Sequence, residues 1–283
     1  MNFHIGCAIW AYKGWVGDLF PVKSRSKDFL NLYSRRFTTV EGNTTFYSVP
    51  DSETISRWAE ETPPGFKFCL KLPKTLTHNH LLKPLLPGAL KFLEQMQGLG
   101  DRLGPLFAQL PPSYSPANFD DLASFLEGWA DTSPLAVEVR HLDWFKEPHT
   151  SRLNALLKDL NVGRVLLDTR PIYNAPDDPQ IGSERRKPNV PLQPIVTAPF
   201  SLIRFISHPD LEMNQVYLEE WVRIVDCWLK QGTTIYFFVH CPTEERSPQT
   251  ARHFQHLLQK QNASVPPLLW DSFEQTPTQL GLF

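Results

Sequence analysis

The sequence has 283 residues, of which 41% are hydrophobic and 20% are charged, and its formal net charge at pH 7 is -2. These values are typical of a globular domain and exclude a disordered or fibrous chain. The near-neutral charge also excludes a protein that coats nucleic acid by bulk electrostatic attraction, although it leaves room for a local basic patch.

The cysteines and the first residues indicate a reducing compartment and no membrane anchor. The four cysteines show no CxxC spacing, so we expect reduced thiols. The opening MNFHIGCAIW lacks the basic and long apolar regions of a signal peptide, and no apolar run reaches about 18 residues. We therefore expect a cytoplasmic protein that does not enter a membrane.

Eight short runs rich in β-branched and aromatic residues predict eight strands. In chain order they are Phe3–Ile9, Thr38–Asn43, Phe66–Leu72, Leu106–Leu110, Leu135–Arg140, Val162–Asp168, Phe200–Ile206 and Thr234–His240. Most of the intervening stretches carry apolar residues at helical spacing, as at Phe29, Leu32 and Tyr33. Strand–helix units of about 30 to 40 residues, repeated eight times, predict an α/β fold of the (β/α)8 TIM-barrel type.

One crossover departs from this alternation. The stretch from Pro171 to Pro199 is rich in Pro, Asn, Asp, Arg and Lys and has no helical period, so we expect a long irregular loop after strand six. It would hang over the barrel mouth as a lid or binding loop, or form a disordered surface insertion. We assign residues 1–270 to a single barrel domain and residues 271–283 to a C-terminal tail.

Polar residues follow nearly every predicted strand. In a barrel of this type, such residues at the C-terminal ends of strands point into the active-site mouth. They are Glu41, Asn43 and Tyr47 after strand two; Lys71, Lys74 and His78 from strand three; Gln109 in strand four; Glu138, Arg140, His141 and Trp144 around strand five; Asp168 and Arg170 from strand six; Arg204 and His208 from strand seven; and His240 at the end of strand eight. Each alone could be a solvated group, but together they predict an enzyme-like pocket.

The candidate catalytic residues are Glu41, Lys71, Glu138, Asp168 and His141. The first four lie in otherwise apolar runs, where burying a charge is costly without a partner. We therefore expect opposite charges to pair there. Such a network shifts pKa values and suits acid–base catalysis. A purely structural ring of ion pairs is the alternative.

The candidate substrate-binding residues combine cations, amides and aromatic rings. An arginine side chain can donate two hydrogen bonds to a pair of oxygens, and a lysine side chain adds a compact positive charge. We therefore expect an anionic small molecule or a nucleic-acid end as the ligand. Aromatic rings after the first two strands could stack on a sugar or base, or could pack beneath the loops. The predicted binding set is Trp10, Tyr12, Trp15, Asn43, Tyr47, His78, Gln109, Arg140, Trp144 and Arg204.

A divalent metal site is an open alternative, with oxygen and imidazole ligands from different strands. The candidate ligands are Glu41, Glu138, His141, Asp168 and His240. No HxxxH or DxD spacing fixes such a site, so the cofactor stays unidentified. The sequence has no GxGxxG, P-loop or GxSxG pattern, which disfavours a nucleotide cofactor and a nucleophile-elbow hydrolase.

Several motifs give the chain a resemblance to a known family. They are IGCAIWAYKGW, VEGNTTFY, PPGFKFCLKLPKTLTH, LGPLFAQLPPSY and VEVRHLDWF. With them the chain resembles the YecE-like proteins, catalogued as domain of unknown function 72, over nearly its whole length. The resemblance implies a TIM-type barrel but supplies no reaction.

The resemblance also marks positions that are typical of the family and positions that depart from it. The typical set is Trp10, Tyr12, Trp15, Glu41, Asn43, Phe46, Tyr47, Lys71, His78, Gln109, Glu138, Arg140, His141, Trp144, Asp168 and Arg204. His240-Cys241 stands where relatives tend to have Asn-Asn, RFISHP lacks the usual His-Gly, and Cys7-Ala8-Ile9 replaces Thr-Ser-Gly. One side of the pocket is therefore expected to differ from its relatives.

The last residues of the sequence form a separate candidate binding element, with Gln279, Leu280, Leu282 and Phe283 as its anchors. The pattern Gln-Leu-x-Leu-Phe resembles the peptide with which bacterial proteins bind the replication sliding clamp. Two leucines and a phenylalanine in an extended tail suit an apolar groove on a partner. Docking on the chain's own barrel is the alternative.

Three functions remain open at this point. The first is an enzyme, a hydrolase or lyase, that acts on an anionic substrate. The second is a metal-dependent phosphoesterase or nuclease, linked to DNA repair through the clamp-like tail. The third is a non-catalytic binding module. The barrel fold alone does not choose among them.

Overall fold

The structure is a computed structural model that describes residues 2–79, 81–183 and 186–274, without the side chains of 272–274. Its strands are β1 (Phe3–Cys7), β2 (Thr39–Gly42), β3 (Lys67–Leu70), β4 (Leu106–Gln109), β5 (Leu135–Glu138), β6 (Gly163–Asp168), β7 (Phe200–Ile206) and β8 (Thr234–His240). Each strand lies inside its predicted run, so the eight predicted strands are confirmed.

The strands pair in parallel, as an α/β fold requires. Six form one sheet in the order β1-β8-β7-β6-β5-β4, and β2 pairs with β3 in a second sheet. Every pairing between strands is parallel. An isolated parallel bridge between Lys71 and Phe107 and a hydrogen bond from Thr38 N to Ile5 O connect the two sheets.

Helices separate most of the strands. They are α1 (Phe29–Ser34), α2 (Ser52–Glu61), α3 (Lys74–Thr77), α4 (Leu86–Met96), α5 (Phe119–Trp129), α6 (His149–Asp159), α7 (Arg170–Tyr173), α8 (Gln215–Lys230), α9 (Ser247–Lys260) and α10 (Leu269–Glu274). Local chemistry sets their limits: Asp51 caps α2 by accepting from Thr54 N at 2.8 Å. The longer helices bury an apolar stripe, such as Leu218, Trp221 and Val225 of α8.

Strand alternation divides the buried side chains into two sets. Successive strand residues point to opposite faces of a sheet. On β7, Ile203 and Phe205 join the large core cluster under the helices, whereas Leu202 joins a smaller cluster on the opposite face. Arg204 follows Leu202 onto that opposite face, where the candidate site lies.

The crossover after β6 begins with a helical turn that the sequence did not predict. Pro171 lies in the first turn of α7, where its fixed φ suits a helix start, so the irregular loop predicted from Pro171 begins three residues later, at residue 174. The described residues from 174 to 199 contain no helix or strand. Within them, the Tyr173 hydroxyl donates to the backbone oxygen of Lys187, and Lys187 N donates to Gln180 Oε1 at 2.7 Å.

Three further predictions concern the chain as a whole. No helix of the described residues is both long and apolar enough to cross a membrane. Helix α10 spans the predicted domain boundary at residue 270, and Trp270 is buried in the core. The predicted partner-binding residues 279–283 lie outside the described part of the chain, so their role stays a prediction.

Candidate functional site

A cavity of about 480 Å³ opens at the C-terminal ends of the strands. Segments that follow β1, β2, β3, β5 and β8 contribute to its lining, as do β4, β7 and the loop after β6. Its cationic side chains are Lys71, Lys74, Arg140, Arg186, Lys187 and Arg204, and its one carboxylic acid among the described lining residues is Glu244. The cavity is therefore rich in positive charge.

Arg204 joins two buried glutamates beneath this cavity. Its Nε and Nη2 donate to Glu41 Oε2 and Oε1 at 2.8 and 2.9 Å, a two-pronged geometry that suits a guanidinium and a carboxylate. Its Nη1 donates to Glu138 Oε2. All three side chains are buried. Most of the Arg204 donors are thus engaged with the glutamates, so its main role is to neutralise them.

The two glutamates are held ionised by their partners. Burial alone would raise the pKa of Glu41, but Arg204 and His240 outweigh it and hold that pKa well below its ordinary value. Burial likewise opposes ionisation of Glu138, yet Arg140 and Arg204 lower its pKa to about 2. Carboxylates that remain ionised at neutral pH are poor proton donors, which disfavours Glu41 and Glu138 as general acids.

His240 and Asn43 complete the surroundings of Glu41. Asn43 Nδ2 donates to Glu41 Oε1 at 2.7 Å, and His240 Nε2 lies 2.9 Å from Glu41 Oε2. Burial lowers the pKa of His240 to about 4, so its ring is neutral at pH 7. A carboxylate only accepts hydrogen bonds, so Nε2 carries the proton and donates it to Glu41.

Lys71 lies at the edge of this network and differs from an ordinary lysine. Its Nζ donates to Gln109 Oε1 at 2.8 Å and lies 3.6 Å from the centroid of the Phe46 ring. Arg140 Nη2 donates to the same Gln109 oxygen at 2.5 Å. Burial, helped by Arg204, lowers the pKa of Lys71 to about 7. A neutral amine is therefore well populated at pH 7, and it can act as a base or a nucleophile.

Two further predicted residues form the rim and wall of the cavity. Tyr47 has 70% of its surface exposed at the rim. His78 is half-buried, and its Nδ1 lies 2.9 Å from Thr77 Oγ1. Burial, with Lys71 and Lys74, lowers the pKa of His78 to about 4, so it presents a neutral ring to the cavity at pH 7.

Asp168 lies outside the cavity, although the polar residues at the strand ends were all predicted to face one pocket. Its neighbour Leu166 belongs to the core under the helices, and by strand alternation Asp168 points to that side too. There it accepts from Arg170 Nη2 and from Trp221 Nε1, each at 2.8 Å. Arg170 also pairs with Glu220 of α8 at 2.8 Å. These contacts fasten β6 to α8 and leave Asp168 and Arg170 outside the lining of the cavity.

The tryptophans of the predicted binding set lie in the core. Trp15 and Trp144 have no exposed surface, and their Nε1 atoms donate to Glu244 O at 3.0 Å and Tyr114 O at 2.8 Å. Trp10 is 9% exposed and packs edge-on against Trp58 at 5.1 Å between ring centroids. Trp15 and Trp144 have no exposed surface with which to contact a ligand, and Trp10 does not line the cavity, so these residues match the alternative of packing beneath the loops.

Tyr12 and His141 are more exposed but do not line the cavity. The Tyr12 hydroxyl donates to Glu245 Oε1 at 2.5 Å. His141 Nδ1 accepts from Asp143 N at 3.2 Å, a contact within its own turn. Neither residue meets Lys71 or the buried glutamates.

Three charged residues of the described cavity lining, Arg186, Lys187 and Glu244, were not predicted from the sequence. Arg186 and Lys187 come from the irregular loop after β6, where no spacing distinguishes one cation from another. Glu244 follows β8 in the short 3-10 helix Glu244–Arg246. Reading a few residues further past His240 would have found Glu244, because the predicted pocket faces the segments that follow the strands.

The candidate metal ligands do not converge. Among the described residues, no group of three or more His, Cys, Asp and Glu side chains could hold a metal ion. Glu41 and His240 do touch, but the Arg204 guanidinium occupies the adjoining side of the Glu41 carboxylate. A cation already neutralises that carboxylate, so these residues do not fit a divalent metal site.

The fold and the site together define a class: an α/β protein with parallel strands whose C-terminal ends surround a cation-lined cavity above buried ion pairs. The chain belongs to the family described as "Protein of unknown function DUF72", whose model matches residues 4–275. The family resemblance noted in the sequence is thereby confirmed.

Relatives and solved structures agree with this assignment. The chain is 35% identical over 281 residues to the UPF0759 protein YecE of Escherichia coli (strain K12), covering 98% of this chain and 95% of that protein. A DUF72 family protein from Enterococcus faecalis V583 matches with a TM-score of 0.70 at 16% identity, covering 99% of this chain and 100% of that one. One from Thermotoga maritima MSB8 matches with a TM-score of 0.69 at 21% identity, covering 92% and 100%. The two structures share the fold with this chain.

Proposed function

We propose that this chain is an enzyme, a hydrolase or lyase, that binds a small anionic substrate in the cavity and uses Lys71 as its base. The observation that carries the proposal is the set of cations that line the cavity. Beneath them, the negative charges of Glu41 and Glu138 are already neutralised by arginines. We also infer that the eight strands close into a barrel. The links from β3 to β4 and from β1 to β2, and the reach of Arg204 from β7 to β2 and β5, support this closure.

The balance of charge favours an anion. Arg204 and Arg140 offset the negative charges of Glu41 and Glu138. Lys74 and Lys187 then face the cavity without an ion pair to any described residue, whereas Arg186 pairs with Asp178 at 2.8 Å. Two uncompensated ammonium groups in a concave site attract a phosphate or a carboxylate.

Lys71 supplies the reactive group. Gln109 and Phe46 fix its amine at the cavity floor. An amine whose pKa lies near neutrality combines a useful neutral fraction with adequate basicity, which is the condition for efficient proton transfer. The same group could attack a carbonyl carbon, which is the first step of many lyase reactions.

Calorimetric titration with inorganic phosphate tests the anion site. We expect Lys74→Gln and Lys187→Gln each to weaken phosphate binding by about threefold, and the double variant by about tenfold, because each change removes one cation from the cavity. Lys158→Gln is the matched control, since Lys158 is exposed on α6 and lies away from the cavity. Affinities equal to that of the wild type in both single variants and in the double variant would overturn the proposal.

A non-catalytic binding module would respond differently to substitution of Lys71. The Lys71→Met variant should lose activity on anionic esters in a substrate screen while it keeps part of its phosphate affinity. Full cellular function of both the Lys71→Met and Glu41→Gln variants would instead favour the binding module.

A further inference from the structure

The wall of the cavity that follows β8 carries an acid that the cationic ring does not explain. Glu244 lines the cavity together with Lys71. Its side chain is half-buried, and its buried Oε1 has no hydrogen bond of ordinary geometry to a described residue, although the Ser247 hydroxyl lies near enough to affect the carboxyl group. An acid that lines the same cavity as a basic amine is placed to act on a ligand bound between them.

Two aromatic side chains from the segment after β1 fix the position of Glu244. Trp15 Nε1 donates to the backbone oxygen of Glu244 at 3.0 Å. The Tyr12 hydroxyl donates to the next residue, Glu245, at 2.5 Å. Trp15 has no exposed surface and packs edge-on against Phe20 at 5.7 Å, so this support is rigid. Tyr12 and Trp15 are therefore positioning residues for this wall.

The surroundings of Glu244 favour its protonated form. Burial is the largest influence, and it raises the pKa of Glu244 to about 8. Ser247 and Lys187 lower this pKa, whereas Glu245 and Glu41 raise it. The thiols of Cys7 and Cys241 and the Tyr33 hydroxyl are the other titratable groups that sense Glu244. At pH 7 the side chain is thus mostly an uncharged carboxylic acid.

We propose that Glu244 is the proton donor of this cavity, acting on the leaving oxygen of an anionic ester while Lys71 accepts the proton of the attacking water. This inference rests on the proposed function and assigns its substrate class. An uncharged Glu244 can donate a hydrogen bond to such a substrate, whereas an ionised one would repel it. Two groups with opposite protonation states at the same pH form a general acid and a general base.

The reaction balances with water as the only co-reactant. Neutral Lys71 takes a proton from water, and the water oxygen forms a bond to the phosphorus or carbonyl carbon of the ester. The bond from that centre to the leaving oxygen breaks with its electron pair on the oxygen. Glu244 then gives its proton to this oxygen. The ammonium and carboxylate that result return to their starting forms by proton exchange with solvent.

Carbon-13 NMR of protein labelled at glutamate side-chain carboxyls tests the protonation state of Glu244. One signal, absent from the Glu244→Gln variant, should titrate with a midpoint near 8. Ser247→Ala is the control and should keep that signal at the same midpoint or higher, because the hydroxyl lowers the pKa. A midpoint near the ordinary glutamate value of about 4.3 would overturn the inference.

Sulfate affinity measured as a function of pH distinguishes failure of this inference from failure of the proposed function. Sulfate suits this test because its own charge is constant over the pH range used. In the wild type, sulfate affinity should fall in two steps as the pH rises, first as Lys71 loses its positive charge and then as Glu244 gains a negative one. Glu244→Gln should abolish the upper step, an effect of about threefold for one like charge in the cavity. Lys71→Met should abolish only the lower step.

The outcomes are distinct. An upper step that persists in Glu244→Gln would overturn the role of Glu244 and leave the anion site intact. No sulfate binding by any of the proteins would overturn the proposed anionic substrate, while the NMR midpoint would still decide whether Glu244 is protonated.

Discussion

Arg204 determines the ionisation of the site because it is the cation shared by both buried glutamates. It pairs with Glu41 at 2.8 Å and also binds Glu138, and all three side chains are buried. A buried ion pair contributes little net stability compared with apolar packing, but removing one partner leaves an uncompensated charge. The network therefore contributes little to the stability of the fold. Its main effect is to place fixed charges beneath the cavity that influence the pKa of Lys71.

The Arg204→Met variant should therefore be strongly destabilised. We expect the free energy of unfolding, measured by urea denaturation at pH 7, to fall by about 3–5 kcal/mol. Arg25→Met is the control, since Arg25 forms an exposed pair with Asp28 and its loss should cost at most about 1 kcal/mol. Similar losses in the two variants would show that the buried pairs are not held as described.

The titration of Lys71 can be observed directly. In protein labelled with carbon-13 at lysine Cε, one signal should titrate near pH 7 and be absent from Lys71→Arg. The sign follows from burial, which disfavours the ammonium form and is only partly offset by Glu138 and Glu41. The neutral base thus accumulates above pH 7. A midpoint close to the ordinary lysine value of about 10.4 would contradict a catalytic base at this position.

The strands were the most predictable elements, and the direction of individual side chains was the least. Runs such as Leu106–Leu110 combine apolar and β-branched or aromatic residues between turn signals, so their strands could be located. The side of the sheet to which Asp168 points depends on the register of β6, and that register is set by pairing with the neighbouring strands. Glu41, Lys71, Gln109, Glu138, Arg140 and Arg204 were predicted as polar strand-end residues, and the structure brings them together.

The loop after β6 was predictable as a loop but not in its contents. Its irregular composition predicted a segment without regular structure, yet nothing in the sequence singles out Arg186 and Lys187 as cations that reach the cavity. That placement depends on tertiary contacts, above all the hydrogen bond from the Tyr173 hydroxyl to the Lys187 backbone oxygen.

Tyr173→Phe should therefore weaken anion binding without touching the cavity floor. Loss of one hydrogen bond costs about 0.5–1.5 kcal/mol. If this hydrogen bond holds the loop in the conformation that binds the anion, its loss corresponds to a severalfold loss of phosphate affinity. Tyr217→Phe is the matched control, because that hydroxyl contacts the same loop at Asn174, away from Lys187. Calorimetry should separate the two variants; identical affinities would show that the Tyr173 contact does not position Lys187.

At the scale of the whole molecule, charge is distributed unevenly. The chain has a formal net charge of -2, yet its cavity presents several cations. A cavity of opposite sign to the whole chain selects its ligand by local field rather than by general attraction. This distribution agrees with the sequence-based argument against a protein that coats nucleic acid, and it supports the proposal of a small anionic ligand.

A crystal structure of the protein grown with sulfate tests the central claim most directly. We predict a sulfate ion in the cavity, within hydrogen-bond distance of at least two of the cations Lys74, Arg140 and Lys187, with Glu244 as an additional donor. The Lys74→Gln, Lys187→Gln double variant, crystallised in the same conditions, should lack that ion. Sulfate bound only on the outer surface, with none in the cavity of the wild type, would contradict an anion-binding active site.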